Sequence, residues 1–97
     1  MNWNISQNYH IINPLNNRCL DIAGGNYSPQ ASVILYKINS GKSGNQIWIF
    51  EEKNNKFFIR SAGNSGFALA IRSDGKSLTI DYFNENDSKQ QWKLNFA

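Results

Sequence analysis

Asp21, Tyr36 and Asn45 form a chemically coherent set in the first half of the sequence. A carboxylate accepts charge-assisted hydrogen bonds from two neighbouring hydroxyls. An amide both donates and accepts, and an aromatic ring covers a patch of C–H groups. A sugar offers these three surfaces: hydroxyl donors, hydroxyl acceptors and an apolar face. Gly24 and Gly25 permit a tight turn with close backbone approach to a ligand. Taken singly, each residue has a plainer reading: Asp21 as a turn acid, Tyr36 as a core or surface aromatic, Asn45 as a loop amide, and Gln46 as a partner for buried backbone groups. Their combination favours a binding site.

Other chemistries find little support. His10 is the sole histidine and Cys19 the sole cysteine, which excludes an internal disulfide and makes a zinc site implausible. A Ser-His-Asp arrangement could use only His10, and no Gly-x-Ser-x-Gly elbow is present. Gly41-Lys42-Ser43 looks like the end of a phosphate loop, but Tyr36 stands where that motif needs its first glycine. The acidic stretch from Asp81 to Asp87 lacks calcium-loop spacing. No enzyme activity, cofactor or metal is therefore expected. The sequons at Asn4, Asn26 and Asn86 are weak signals in an Asn-rich chain.

The composition agrees with an uncharged, hydroxyl-rich ligand. Fifteen Asn and five Gln occur among 97 residues. Aromatic residues make up 13%, which argues against disorder. The net charge of +3 comes from ten basic residues scattered along the chain, without the concentrated stripe that nucleic-acid binding needs. No apolar run is long enough to enter and cross a membrane. The N-terminus, Met1-Asn2-Trp3-Asn4, has neither the basic nor the apolar region of a secretion signal.

The elements that must position the set are short strands. Helical periodicity is absent, and apolar runs of three to five residues are punctuated by turn residues such as Asn13-Pro14, Gly24-Gly25-Asn26, Asn54-Asn55 and Asp74-Gly75. Nine strands are predicted, over 3–6, 9–12, 19–22, 33–36, 48–52, 57–61, 68–71, 78–82 and 92–96, in one all-β domain spanning 1–97. An internal repeat orders them. Trp3, Trp48 and Trp92 are spaced by 45 and 44 residues, and the last two follow Gln46-Ile47 and Gln90-Gln91. Upstream, Cys19-Leu20-Asp21-Ile22 aligns with Ala68-Leu69-Ala70-Ile71, and Val33-Ile34-Leu35 with Leu78-Thr79-Ile80. All three tryptophans are expected in the core.

Two Gln-x-Trp motifs, each behind the same strand pattern, make the chain resemble the ricin B-type lectin family over about residues 3–96. The resemblance implies a β-trefoil, twelve strands in three four-stranded repeats. This chain departs from that plan: it holds two complete repeats, 9–52 and 57–96, preceded only by the closing strand of a third at residues 3–6. An incomplete trefoil exposes sheet edges and apolar surface, so self-association or a companion chain is expected. A second departure is Ile38, which stands where relatives place a cysteine to pair with the position of Cys19. Cys19 then reads as a small buried apolar residue.

Position by position, the resemblance makes Asp21 the acceptor of galactose hydroxyls, Tyr36 the stacking platform, and Asn45 and Gln46 the amides before the tryptophan; Gly25 joins them in the turn. Ile34 stands where some relatives carry a polar contact, and Tyr replaces the more common Trp at the platform. The second repeat lacks the set. Ala70 replaces the Asp, Lys89 replaces the Asn, and Asp81 falls near the platform with Tyr82 beside it, so it is not expected to bind in the same mode. The resemblance thus implies a non-enzymatic module for glycans of the galactose or N-acetylgalactosamine type, as in the cell-binding part of a toxin or the targeting module of a secreted glycosidase. Secretion is favoured by the resemblance alone. The rival is a trefoil that binds protein rather than sugar, as a toxin-complex component, inhibitor or scaffold, because fold does not fix function.

Overall fold

A computed structural model describes residues 8–39, 41 and 43–93. Eight strands and three single 3₁₀ turns make up the regular structure of these residues, with no α-helix among them. The strands are β1 (Asn8–Tyr9), β2 (Ile12–Asn13), β3 (Arg18–Ile22), β4 (Val33–Lys37), β5 (Trp48–Lys53), β6 (Lys56–Ser61), β7 (Phe67–Ile71) and β8 (Leu78–Tyr82). They form a five-stranded sheet in the order β1-β5-β6-β7-β8 and a three-stranded sheet in the order β2-β3-β4, with every pairing antiparallel.

Most predicted strands appear within a residue or two of their expected ends; one does not. The strand expected over 9–12 is two short pieces on different sheets: Asn8 and Tyr9 pair with β5, whereas Ile12 and Asn13 pair with β3. The chain crosses between the sheets at His10 and Ile11, where the Ile11 carbonyl still accepts from the Leu20 amide at 3.0 Å. In the last predicted strand, 92–96, Trp92 forms an isolated bridge with Phe57. Residues 94–96, the strand over 3–6 and Trp3 lie outside the described residues.

Local chemistry explains the connections. β5 and β6 are joined by Asn54 and Asn55, both left-handed at φ 54° and 63°, closed by the Lys53–Lys56 pair. A two-residue hairpin with φ > 0 at both positions matches the twist of the flanking strands, and Asn tolerates that region better than other residues with a Cβ. The 3₁₀ turn Gly44–Gln46 depends on close backbone approach instead. A Cβ on Gly44 would lie 2.6 Å from the Gly63 Cα, so the turn before β5 seats directly on the loop after β6.

The core lies between the sheets and holds Ile22, Val33, Trp48, Phe67, Leu69 and Ile80. Trp48 is completely buried, as expected; burying an aromatic of this size is worth about 3 kcal/mol relative to leaving it exposed. Its indole nitrogen donates to the Leu20 carbonyl at 3.1 Å, and that of Trp92 donates to the Leu69 carbonyl at 3.2 Å. The preceding glutamines are equally matched. Gln46 accepts from the Asn39 amide and donates to the Lys37 carbonyl; Gln90 accepts from the Asn84 amide and donates to the Tyr82 carbonyl. In both places Gln-x-Trp fastens a loop and a hairpin strand to the core with the same hydrogen bonds.

Candidate functional site

Asp21 sits on β3, directly across from Ile34 of β4, and Cys19 lies across from Tyr36. Side chains two residues apart on a strand share a face, so Asp21, Ile34 and Tyr36 stand together on one side of the β3–β4 hairpin. Asn45 and Gln46 reach the same place from the 3₁₀ turn Gly44–Gln46. These residues, with Gly24 and Asn39, surround a cleft of about 280 Å³ lined by Asp21, Gly24, Ile34, Tyr36, Asn39 and Asn45.

Asp21 is the floor of the cleft and is only 5% exposed. A buried carboxylate is costly unless it is hydrogen-bonded, and this one is held from behind. Gln46 Nε2 donates to Oδ2 at 2.8 Å, and Asn45 Nδ2 donates to Oδ1 at 3.3 Å. A carboxylate has about four lone-pair sites, so two remain for a ligand. The clamp therefore fixes the acid's orientation while leaving it able to accept. Asn45 Nδ2 also reaches the Ile22 carbonyl at 3.4 Å, which leaves the Asn45 carbonyl oxygen as a free acceptor among the described residues of the site.

The five predicted residues occupy distinct places. Asp21, Tyr36 and Asn45 converge on the cleft. Tyr36 lines the cleft and is 45% exposed. Gln46 is completely buried behind Asp21, to which it donates, and does not itself line the cleft. In the turn Ala23–Gly25, Gly24 faces the cleft while Gly25 follows one step on, both left-handed at φ 64° and 63°. Asn39 was not anticipated. Its backbone amide satisfies Gln46 Oε1 at 2.9 Å and its side chain donates to Ser43 at 3.3 Å, which holds the loop against the cleft. A buried Gln carbonyl needs such a donor, but the sequence does not say which loop amide supplies it. Cys19 is buried and free, as expected; burial, and secondarily the charge of Asp21, push its thiol above its ordinary value.

The corresponding place on the β7–β8 hairpin is built from other residues. Ala70 pairs with Thr79, and Ala68 with Asp81, in the register of Asp21 with Ile34 and Cys19 with Tyr36. Asp81 therefore stands where the ring of Tyr36 stands. Tyr82, one residue on, belongs to the opposite face and stacks on Phe67 at 5.0 Å. The second hairpin thus has no acid at the Asp21 position and no ring at the Tyr36 position, and Lys89 stands for the amide of Asn45.

A family model for the ricin-type beta-trefoil lectin domain matches residues 2–95. The chain belongs to this family. Among solved structures, the designed threefold-symmetric protein ThreeFoil superposes with a TM-score of 0.74 at 21% identity, over 88% of this chain and 61% of that one. Two structures of the earthworm R-type lectin are also similar: its C-terminal domain mutant in complex with 6'-sialyllactose, and its C-half in complex with GalNAc. Each has a TM-score of 0.70 and 27% identity, over 92% of this chain and 65% of the lectin chain. The all-β architecture is thus that of the β-trefoil lectins, and this chain spans 61% to 65% of the length of these relatives. Among curated proteins no significant match is found.

Proposed function

We propose that the protein is a carbohydrate-binding module, without catalytic activity, that takes a galactose or N-acetylgalactosamine-type glycan in the cleft of Asp21, Tyr36 and Asn45. The observation that carries this reading is the clamped carboxylate of Asp21. It is buried, oriented by two amides, and open on the side facing the cleft. Asp21 accepts from two adjacent hydroxyls, Asn45 contributes its free carbonyl oxygen, and Tyr36 covers the C–H face of the ring. Membership of a lectin family and the glycans named with the earthworm lectin structures support the ligand class.

The reading includes the organisation of the chain: two complete repeats over 9–52 and 57–96, with residues 3–6 closing a third. It also includes an assembly with a second copy or a companion chain. Ile12, Ile34, Leu35 and Ile38 are 39% to 45% exposed, and β4 is an edge strand among the described residues. Such an edge is a template for pairing. A single shallow site of this kind binds weakly, near millimolar or about −4 kcal/mol, and several sites in one assembly would supply avidity.

Calorimetric titration with lactose tests the reading. Binding to the wild type that disappears in Asp21→Ala is the expected result. Equal binding by both proteins, or no heat from either at concentrations that detect millimolar affinity, contradicts it.

A further inference from the structure

The β7–β8 hairpin carries a second cleft, of about 220 Å³, in the place matching the first, and its lining is charged. Lys89 stands in the place of Asn45, just before Gln90. Arg72 follows β7, and Asp81 projects from β8. Ala70, where the first cleft has its floor carboxylate, leaves the base of the cleft without an acid.

Which charges are available for a ligand follows from their partners. Asp74 is consumed by its own turn: Oδ1 accepts from the Lys76 and Ser77 amides at 2.8 and 3.1 Å, and Oδ2 accepts from the Ser77 hydroxyl at 3.1 Å. Asp81 Oδ1 accepts from the Tyr82 amide at 3.1 Å, which leaves Oδ2. Arg72 is held by one donor only, Nη2 to the Gln30 carbonyl at 3.2 Å, so its other N–H groups remain. Gln30 presents that carbonyl from a left-handed conformation at φ 63°, uncommon for a residue with a Cβ, and its amide is fixed to the Ile80 carbonyl at 2.8 Å. Lys89 makes no ion pair among the described residues. The cleft therefore holds two cationic groups, Lys89 and Arg72, the latter oriented by the Gln30 carbonyl and facing the charge of Asp74, together with the Asp81 carboxylate and no aromatic platform.

We propose that this second cleft binds a sugar bearing an acidic group. The inference rests on the carbohydrate-binding reading of the protein. Lys89 and Arg72 take the anion in charge-assisted hydrogen bonds, and Asp81 Oδ2 accepts from a ring hydroxyl, as Asp21 does in the first cleft. A neutral sugar can take hydrogen bonds from the two cations but no ion pair, and it finds no ring to stack on. The two clefts thus divide the ligand classes between them: neutral galactosides in the first, acidic sugars in the second.

Titration of the intact protein with glucuronate and with glucose 6-sulfate, followed by backbone amide shifts, tests this. Neither has the galactose configuration, so neither is suited to the first cleft. The expected result is shifts centred on Thr79, Asp81 and Lys89, with affinity falling about tenfold in Lys89→Asn, falling with added salt, and unchanged in Asp21→Ala. Lys89 is exposed, so the variant keeps its fold. Binding of only one of the two also supports the proposal and identifies the acid as a planar carboxylate or a tetrahedral sulfate. Three results overturn it: lactose binding without binding of either acidic sugar, shifts centred on Asp21 and Asn45, or full affinity in Lys89→Asn. Failure of lactose and both acidic sugars together overturns the carbohydrate reading as well.

Discussion

Gln46 shows how one buried side chain holds together both the core and the cleft. It is completely buried and makes three hydrogen bonds: to Asp21 Oδ2, to the Lys37 carbonyl and from the Asn39 amide. Truncation leaves three polar groups without their partner, and each such loss costs about 1–3 kcal/mol when water cannot substitute. Gln46→Ala is therefore expected to lower unfolding free energy by at least about 2 kcal/mol in a urea titration, and to weaken lactose binding in the fraction that remains folded. Asp21→Ala differs in kind. It removes the acceptor but leaves Gln46 with its two backbone partners, so affinity is lost while most of the stability remains. The division between a residue that touches the ligand and one that aims it is thus measurable as a split between binding and stability.

At the scale of elements, the cleft is a junction between the β3–β4 hairpin and the 3₁₀ turn Gly44–Gln46. That turn is seated by backbone contact, since a Cβ on Gly44 would meet the Gly63 Cα at 2.6 Å. Backbone cannot swing aside as a flexible side chain does. Gly44→Ala is expected to cost about 1–3 kcal/mol and to reduce lactose affinity by moving Asn45 away from Asp21; thermal melts and calorimetry on the same variant check both effects. Much of this arrangement was legible in the sequence. The repeated Gln-x-Trp identified the fold, and the chemistry of Asp21, Tyr36 and Asn45 singled them out as a set; their shared face follows from the β3–β4 register, which the sequence does not state. What was not legible has physical causes. The strand over 9–12 splits because its ends pair with different sheets, which is a tertiary choice and leaves no mark on its alternation. Tyr82 lies beside the platform position in sequence but on the other face of β8, because a one-residue step reverses direction in a strand. Asn39 enters through its backbone amide, which every residue except proline possesses. The residue facing the cleft is Gly24, and the shared left-handed geometry of Gly24 and Gly25 gives the sequence no means of ranking them.

Over the whole molecule, two similar clefts carry different chemistry on one scaffold. The larger sheet ends at β1 and β8 and the smaller at β2 and β4 among the described residues; residues 30–32 cover the β8 edge at Thr79 and Ile80, whereas β4 keeps an open edge. A groove of about 550 Å³ beside β4 is lined by Leu20, Val33, Leu35 and Leu78 together with the cations Arg72 and Lys76. Exposed edges next to apolar surface predict association. Sedimentation equilibrium is expected to give a mass above the 11.1 kDa of one chain, reduced by Leu35→Asp; a monomer at all concentrations would contradict self-association and leave a companion chain as the remaining form of the assembly proposal. The central claim, that Asp21, Tyr36 and Asn45 hold a neutral galactoside, is tested most directly by an amide-resolved NMR titration with lactose. The account predicts the largest shifts at Asp21, Gly24, Asn39 and the Asn45 side-chain amide, with Ala70, Thr79 and Lys89 unmoved. Shifts centred on the second cleft, or none anywhere at saturating lactose, would contradict it.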